Sequence, residues 1–521
     1  MGRMPFRGRC LVLGLVATVL LPGCSSEEQP PAALDRAADA LPVPPPTLES
    51  VPTLSGVPDL PDTTRAILDL RQAFFARDFA RLDGALLKRH EDYLAGRTNH
   101  AVLSGFIDGI QDTQLAGIDA CDAWLGAMPA SYPAHWVCGA MWHGGAWAAR
   151  SGKYANEVGY ARFALMRERM ARSDALLQKA VTLHSQPLQA LAMLGANALV
   201  EGRDQEGETY LQRAEAILPG HRPIHGTRIH HAQPEWGGSP EQVRDALEWA
   251  RSKGVGEADL ADLEDDYIAK PWRLSTPGAP RAYWEKAIKA LPTRQRLSYL
   301  LDDLKGLSNW NEALPVADRL IREYPDDASV YYRRGQIHQQ LGLMAEARAD
   351  YRMAAAMGHD LAAQALIMAN IRGGLGVTEK SFNTVLELCR YGAGLGSSVG
   401  ANCLGALYDQ GGPAGEPFKR DRPLGLAWHL VGARAGHFNS QFDLGWLVLS
   451  GRAPGLDKAR AETLGIYWLR RAAEQGQQFA KRKLEERHLS LSEEPEEAPV
   501  GWEDYARMGF EVVLAVVRGW L

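Results

Sequence analysis

The chain has 521 residues, 46% of them apolar, and its formal net charge at pH 7 is −6. A mildly acidic chain without a long basic stripe is not typical of nucleic-acid-binding proteins, whose affinity depends on clustered lysine and arginine. The length also exceeds what one compact core usually holds, which favours an architecture that grows by repetition.

Residues 1–23 have the pattern of a secretory signal. Three arginines precede an apolar run at 10–21, which is too short for a stable membrane span. A glycine then precedes Cys24, and this junction resembles the bacterial lipobox. The resemblance implies cleavage before Cys24, a diacylglycerol on its thiol and, because Ser25 rather than aspartate follows, a lipid anchor in the outer membrane facing the periplasm. An ordinary secretory signal with an unrelated cysteine is the alternative.

Residues 24–61 are rich in proline and almost lack aromatic residues. Such a segment cannot bury enough apolar surface to fold, so we expect a disordered, semi-extended tether. Where it is polyproline-like it would span about 3 Å per residue. A tether of this kind would hold the folded part of a lipid-anchored protein well away from the bilayer.

From residue 62 onward the apolar residues follow helical spacing, with proline and glycine between the helical runs. No convincing alternating strand pattern occurs. A period of 34 residues relates Ala180 to Ala214 and Ala313 to Ala347, and a period of 40 residues appears downstream. The predicted fold class is all-α, with helix–turn–helix repeats stacked into an α-solenoid.

The 40-residue period lies within residues 361–490. Gly405 returns as Gly445, each after a leucine, Trp428 returns as Trp468, and a glycine ends each unit. These residues resemble the Sel1-like repeat, a relative of the tetratricopeptide repeat. The resemblance implies a protein-binding scaffold with no catalytic residue. We therefore expect a protein partner on the concave face of the solenoid and no cofactor.

Residues 62–280 form a predicted helical domain with tetratricopeptide-like units and a histidine-rich insert, and further tetratricopeptide-like units fill 281–360. The Trp-Gly-Gly-Ser motif at 236–239 and the Trp-His-Gly-Gly-Ala-Trp motif at 142–147 resemble a Gram-negative family of domains of unknown function. The resemblance covers roughly 65–280. In that family a helical domain often precedes Sel1-like repeats, and no activity is implied.

The histidine-rich insert contains His221, His225, His230 and His231, followed by Glu235. Imidazole nitrogens with a carboxylate could hold zinc and make the chain a metal-dependent enzyme. However, a proline interrupts the helix between the first two histidines, no cysteine is near, and the spacing matches no zinc motif. We expect these histidines to serve surface and loop packing, with no metal bound.

Aromatic residues are plentiful, with 14 tryptophans and 16 tyrosines. Most are expected in the core, because several occupy repeat positions. Trp136, Trp142 and Trp236 are candidates for partner binding, since aromatic side chains make good interface anchors. Exposed aromatics against the cell-wall glycan would instead make a peptidoglycan-binding protein, which is another alternative.

Four cysteines remain once the signal is removed and Cys24 is acylated, namely Cys121, Cys138, Cys389 and Cys403. In an oxidising compartment an even number suggests disulfides, and four cysteines allow three pairings. Proximity in the sequence favours 121 with 138 and 389 with 403. The second pairing also resembles the cysteine-rich branch of the Sel1-like family. Four buried free thiols are the alternative.

The C-terminal segment 491–521 begins as an acidic hinge and continues as an apolar helix over 502–521, which is too short and too charged to span a bilayer. We expect it to fold back onto the solenoid as a cap, with a second membrane or partner contact as the alternative. The leading hypothesis for the chain is a non-enzymatic periplasmic lipoprotein scaffold, serving envelope assembly or immunity to a periplasm-acting toxin.

Overall fold

A computed structural model describes residues 41, 45, 46, 48, 51, 52, 54–150, 158–275, 281–412 and 418–490. Within these ranges the chain is helical, with no β-strand and one isolated bridge between Gly374 and Val377. The predicted all-α class is therefore confirmed. None of the described helices is long and apolar enough to cross a membrane. The predicted signal at 1–23, the lipidation at Cys24 and the apolar segment at 502–521 lie outside the described residues.

The first eleven described helices build the N-terminal part. They are α1 (Asp62–Phe75), α2 (Phe79–Leu94), α3 (Ala101–Asp112), α4 (Ile118–Ala127), α5 (Tyr132–Arg150), α6 (Tyr160–Leu183), α7 (Leu188–Val200), α8 (Asp204–Ile217), α9 (Arg222–His231), α10 (Pro240–Ser252) and α11 (Glu257–Ser275). A 3₁₀ turn at Pro234–Trp236 separates α9 from α10.

Twelve further described helices form the C-terminal part in consecutive pairs. They are α12 (Arg281–Ala290), α13 (Arg294–Gly306), α14 (Trp310–Glu323), α15 (Ala328–Gln340), α16 (Met344–Ala356), α17 (Asp360–Arg372), α18 (Phe382–Gly394), α19 (Ser398–Gln410), α20 (Arg422–Arg434), α21 (Phe438–Leu449), α22 (Lys458–Glu474) and α23 (Gln478–Glu485). Each packs against its neighbours along the chain, and α19 also contacts α17 and α21. This stacking confirms the predicted α-solenoid.

The turn between consecutive 40-residue units contains a glycine that ends one unit and a residue that caps the first helix of the next. A glycine ends the unit in the left-handed region, with φ of 77° at Gly396 and 81° at Gly436, a conformation that glycine adopts without strain. The next residue caps the following helix, as Ser397 does by accepting a hydrogen bond from the amide of Gly400. The chain therefore passes directly from the second helix of one unit into the first helix of the next.

The two helices of a unit meet at glycines, as the repeated small residues predicted. A Cβ added at Gly425 would lie 3.0 Å from the carbonyl oxygen of Gly405, and one added at Gly445 would lie 2.9 Å from that of Gly465. Because the helices approach so closely, the leucine that precedes the glycine in each first helix is fully buried, as Leu404 is before Gly405. The repeated Leu-Gly pair therefore sets the distance between the helices of a unit.

The N-terminal helices pack against the edge of the solenoid formed by these inter-unit turns, which we name the turn edge (residues 357–359, 395–397, 435–437 and 475–477). The guanidinium of Arg71 in α1 donates two hydrogen bonds, of 2.6 and 3.1 Å, to the carbonyl oxygen of Leu395. The ring of Phe75 lies where a Cβ on Gly396 would be. The N-terminal part and the solenoid thus form one packed body at this turn.

The next two units contact the N-terminal part in the same way. The amide of Leu115 donates to the carbonyl oxygen of Arg434 at 3.3 Å, and the guanidinium of Arg434 donates to Asp119 at 2.8 Å. Arg162 of α6 forms an ion pair with Glu474. Successive elements of the N-terminal part therefore follow successive turns of the solenoid, and most of the turn edge is unavailable to a partner.

The segment expected to be an extended tether differs from that expectation where it is described. Leu41 is buried in a cluster with residues of α20 and α21. The amide and hydroxyl of Ser55 donate to a carboxylate oxygen of Glu387 in α18, at 2.6 and 2.8 Å. Leu48, Leu54 and Leu60 pack on the cores of α18 and its neighbours. These leucines therefore place the described residues of the segment on the solenoid and not away from it.

Candidate partner-binding surface

The last two units expose aromatic side chains on their first helices. Phe438 and Trp446 of α21 are 38% and 37% exposed, and Phe479 of α23 is 54% exposed. Phe442 lies between them, half-buried, with its ring centre 6.1 Å from that of Phe479. Spacing of four residues places the α21 aromatics on one side of the helix. We name these four residues the aromatic face.

Two cations lie over the rings of the aromatic face. The ammonium of Lys483 is 4.9 Å from the ring centre of Trp446, and the guanidinium of Arg482 is 5.0 Å from that of Phe479. Cations at this distance from an indole or phenyl ring are weakly attracted to it. The aromatic face is thus an apolar surface with a basic rim, which suits the apolar side of a helix or extended segment.

Asp443 of α21 follows Phe442 of the aromatic face in the chain. Burial raises the pKa of Asp443 to about 6, with the charge of Asp409 in α19 adding to the rise and the amide of Asn402 opposing it. The side chain of Asp443 is 37% exposed. Its oxygen Oδ2 lies 3.8 Å from Nδ1 of the buried His429 in α20, which is beyond hydrogen-bond distance.

The histidines of the predicted insert do not converge on a common point. His221 is buried, with Nδ1 2.8 Å from the hydroxyl of Tyr93, and Nε2 of His225 lies 2.7 Å from the carbonyl oxygen of Pro219. Burial lowers the pKa of both imidazoles. These two histidines tie α9 to the preceding turn and to α2, so their role is in packing.

The other two histidines of the insert point elsewhere. The ring of His230 lies 5.0 Å from that of Trp236, and Nε2 of His231 is 3.5 Å from a carboxylate oxygen of Asp204. Across the described ranges no group of three or more His, Cys, Asp or Glu side chains is arranged to hold a metal ion. The geometry therefore supplies no metal centre at residues 221–231.

Two of the three tryptophans expected to anchor a partner are core residues, which corrects that expectation. Trp136 is 2% exposed and Trp142 is 7% exposed, and both belong to the main cluster of the N-terminal helices. The guanidinium of Arg172 lies over Trp142 at 4.6 Å. Helix α5 contacts α3, α4 and α6, and these contacts leave neither Trp136 nor Trp142 accessible to a partner. Trp236 is half-buried against Trp147.

A buried polar relay joins α5, α6 and α7, and the sequence analysis missed it. The amide nitrogen of Asn197 donates to Asp174 at 2.8 Å and to Ser173 at 3.0 Å, and its oxygen lies 2.6 Å from Nδ1 of His143. A carboxylate only accepts, so Asp174 fixes the amide orientation and His143 carries its proton on Nδ1. No local signal could have indicated this relay, because its members lie on three helices.

The structure joins the cysteines in the two pairings favoured by proximity. The Cα atoms of Cys121 and Cys138 are 5.6 Å apart, and those of Cys389 and Cys403 are 5.7 Å apart. The first bridge links α4 to α5, and the second links the second helix of one unit to the first helix of the next. Both bridges therefore fix contacts between consecutive helices.

If Cys24 is acylated as its resemblance to a lipobox cysteine implies, the denatured mature protein is expected to contain no free thiol without reductant and four after reduction, because the other four cysteines are bridged. A thiol assay in denaturant measures this directly. Cys403→Ser should release one thiol and lower stability by roughly 3 kcal/mol on the chain-entropy view of a short closed loop. Four thiols in the unreduced protein would contradict both bridges.

One stretch of the chain is similar to a known family of domains. Residues 66–203 match DUF4034, a domain of unknown function. The matched range ends before the Trp-Gly-Gly-Ser motif at 236–239, so it is shorter than the range of roughly 65–280 expected from the sequence. No curated protein matches the chain.

Two solved structures are similar to the chain. A protective antigen of uropathogenic Escherichia coli with an SLR fold is 18% identical, with 84% of this chain and 88% of that chain covered and a TM-score of 0.35. A Sel1 repeat protein from Oxalobacter formigenes is 20% identical, with 49% of this chain and 92% of that chain covered and a TM-score of 0.30. The chain is thus similar to DUF4034 over residues 66–203 and forms an α-solenoid in its C-terminal part.

Proposed function

We propose that this protein is a non-enzymatic, lipid-anchored periplasmic scaffold that binds a protein partner through the aromatic face. The observation that carries the proposal is the contrast between two surfaces of the same solenoid. The turn edge is occupied by the N-terminal helices, whereas Phe438, Trp446 and Phe479 stay exposed on consecutive first helices. Clustered, exposed aromatic side chains are uncommon on surfaces that contact only water and are enriched at interface hot spots.

The role of such a scaffold would lie in envelope assembly or in immunity to a periplasm-acting toxin. The contacts that pack the N-terminal part onto the solenoid support a scaffold role, because a pre-organised surface loses little conformational entropy on binding. The basic rim of Lys483 and Arg482 favours a partner element that is apolar on one side and carries acidic groups at its border.

The experiment that tests the proposal places a photo-crosslinking phenylalanine analogue at Phe479 in intact cells. The matched control is Trp249 in α10, which is 48% exposed, close to the 54% of Phe479, but far along the chain from the aromatic face. We expect a discrete protein adduct from position 479 and none from position 249. Equal adducts at both positions, or none at 479, would reject the aromatic face as the partner site.

The lipid anchor has its own test. Cys24→Ala is expected to abolish acyl labelling and to release the protein into the soluble periplasmic fraction, because one thiol carries the whole anchor. Fractionation of cells expressing either form measures the change. If the variant stays with the membrane, the anchor lies elsewhere, and the apolar segment at 502–521 becomes the next segment to delete.

A further inference from the structure

The described part of the chain ends beside the aromatic face. Leu489 packs against the same apolar cluster of α22 and α23 as Phe442 does. The guanidinium of Arg470 in α22 donates a hydrogen bond of 3.3 Å to the carbonyl oxygen of Ser490. Residues 491–521 therefore continue the chain from a point next to the exposed aromatic side chains.

The charged residues of the predicted helix at 502–521 lie on one side of it. Glu503, Arg507 and Glu511 are four residues apart, and Arg518 follows after seven more. At 3.6 residues per turn these spacings keep all four within about a quarter of the circumference. Apart from Asp504, which is adjacent to them, every other position is apolar, aromatic or glycine. A helix with so broad an apolar side needs a surface that covers it.

We propose that residues 502–521 form an amphipathic helix that binds the aromatic face of the same chain and competes there with the protein partner. This inference rests on the proposed function, since it names what occupies the partner site before the partner arrives. The aromatic face offers exposed apolar surface at Phe438, Trp446 and Phe479, on two consecutive first helices. Burying this surface against an apolar helix is favourable for both.

The length of the chain permits this contact. Residues 491–501 join the end of the solenoid to the apolar segment, and when extended they reach at most about 40 Å. Phe438 and Trp446 are eight residues apart in α21, which is about 12 Å along a helix, and a helix over 502–521 would be about 30 Å long. The segment can therefore cover the whole aromatic face without strain in the connection.

The charges favour the same arrangement. Residues 493–497 contain four glutamates, so the connection to the apolar segment is strongly acidic. In the described part of the chain Arg482 makes no ion pair, and Lys483 pairs with Glu486 of its own helix at 2.7 Å. An acidic connection that passes this basic rim gains an attraction that Arg482 otherwise lacks, and salt reduces that attraction.

A second place for the segment would be against α23, as the missing second helix of the last unit, and the repeat pattern opposes it. In earlier units the second helix approaches its first helix at Gly405 and at Gly445, where an added Cβ would collide. Forty residues further on the preceding leucine is kept as Leu484, but Glu485 replaces the glycine. A glutamate side chain does not allow the same close approach, so the aromatic face is the better site.

The test places a photo-crosslinking phenylalanine analogue at Phe479 of the purified full chain and maps the linked peptides by mass spectrometry. We expect a link within one chain, from position 479 to a residue of 502–521. Val513→Lys puts a charge on the apolar side of the segment and should remove most of the link. Glu511→Lys, the matched control, puts the same side chain on the charged side and should keep it. Position 438 is the second probe site if the analogue at 479 lowers the melting temperature.

Three results would overturn the inference. The first is an equal link in the two lysine variants, which would mean that the apolar side of the segment does not bind. The second is a link found only in crosslinked dimers, which would place a second copy of the chain on the aromatic face. The third is no link at 479 together with binding to phosphatidylglycerol-containing vesicles that Val513→Lys abolishes, which would assign the segment to the membrane.

Deletion of 502–521 in cells separates this inference from the proposed function. The deletion should raise the yield of the partner adduct at position 479 severalfold, because a competitor lowers the apparent affinity for the partner by the fraction of chains whose face is free. An unchanged partner adduct would overturn the competition and keep the scaffold. A link within the chain, with no partner adduct before or after the deletion, would keep the segment on the aromatic face and reject the scaffold.

Discussion

Replacing Gly400 by alanine is expected to lower the free energy of unfolding by about 2–4 kcal/mol, as other overpacked core sites do. Gly400 lies in the first turn of α19, against the end of α18. An added Cβ would lie 2.7 Å from the carbonyl carbon of Gly392 and nearer still to the amide nitrogen of Ala393. These are backbone atoms, so relief requires the two helices to move apart and the inter-unit turn to open.

The matched control is Gly84→Ala in the middle of α2, where an added Cβ meets nothing within 4 Å. Alanine there should raise stability by about 0.5–1 kcal/mol, because glycine loses more conformational freedom in a helix. Thermal melts of both variants measure the difference. A Gly400→Ala protein that melts within a degree or two of the parent would show that the contact between the units is looser than described.

The repeat architecture was predictable because its determinants are local. A glycine that must adopt positive φ, as at Gly396 and Gly436, and a glycine at each crossing of paired helices, as at Gly405, recur at a fixed spacing. Each follows from a backbone requirement that only glycine meets. The period of 40 residues was therefore enough to predict both the helix pairs and the turns between them.

The surfaces were not predictable in the same way, because exposure depends on contacts distant in sequence. Trp136 looked like an interface anchor, yet it is buried by helices that the sequence does not place around it. Nothing in the sequence indicated that the N-terminal helices cover the turn edge, yet Arg71 binds the carbonyl oxygen of Leu395, 324 residues away. Phe479 stays exposed where no described element packs over it. A periodic sequence identifies the faces of a solenoid and leaves open which of them the rest of the chain covers.

Acidification from pH 7 to pH 4.5 is expected to lower the free energy of unfolding by about 5 kcal/mol. Burial lowers the pKa of His90 and of His437 to about 4 and that of His429 to about 3. In the unfolded chain these imidazole rings are protonated near pH 6.5. In the folded chain the same rings stay neutral until the pH falls to about 4. Their stabilising contribution is therefore complete above pH 6.5 and is lost progressively as the pH falls toward 4.

Two carboxylates act in the opposite direction. The pKa of Asp443 and that of Asp108 are raised to about 6, chiefly by burial, so protonation below pH 6 favours the folded state. Both side chains retain solvent contact, since Asp443 is 37% exposed and Asp108 is exposed, and water reduces their effect on stability. The three histidines are each at most 9% exposed. From the size of its pKa shift, each contributes about 3 kcal/mol to the free energy of unfolding. The histidines therefore determine the direction in which stability changes with pH.

The decisive comparison is between His90→Gln and His488→Gln in denaturant titrations at a series of pH values. His90 is fully buried, and its Nε2 lies 2.9 Å from the carbonyl oxygen of Gln186, a contact that a glutamine amide can replace. His488 is exposed. His90→Gln should reduce the loss of stability between pH 7 and pH 4.5 by up to about 3 kcal/mol, whereas His488→Gln should leave it unchanged. An identical pH dependence in both variants would mean that the buried imidazole of His90 is not what makes the fold sensitive to acid.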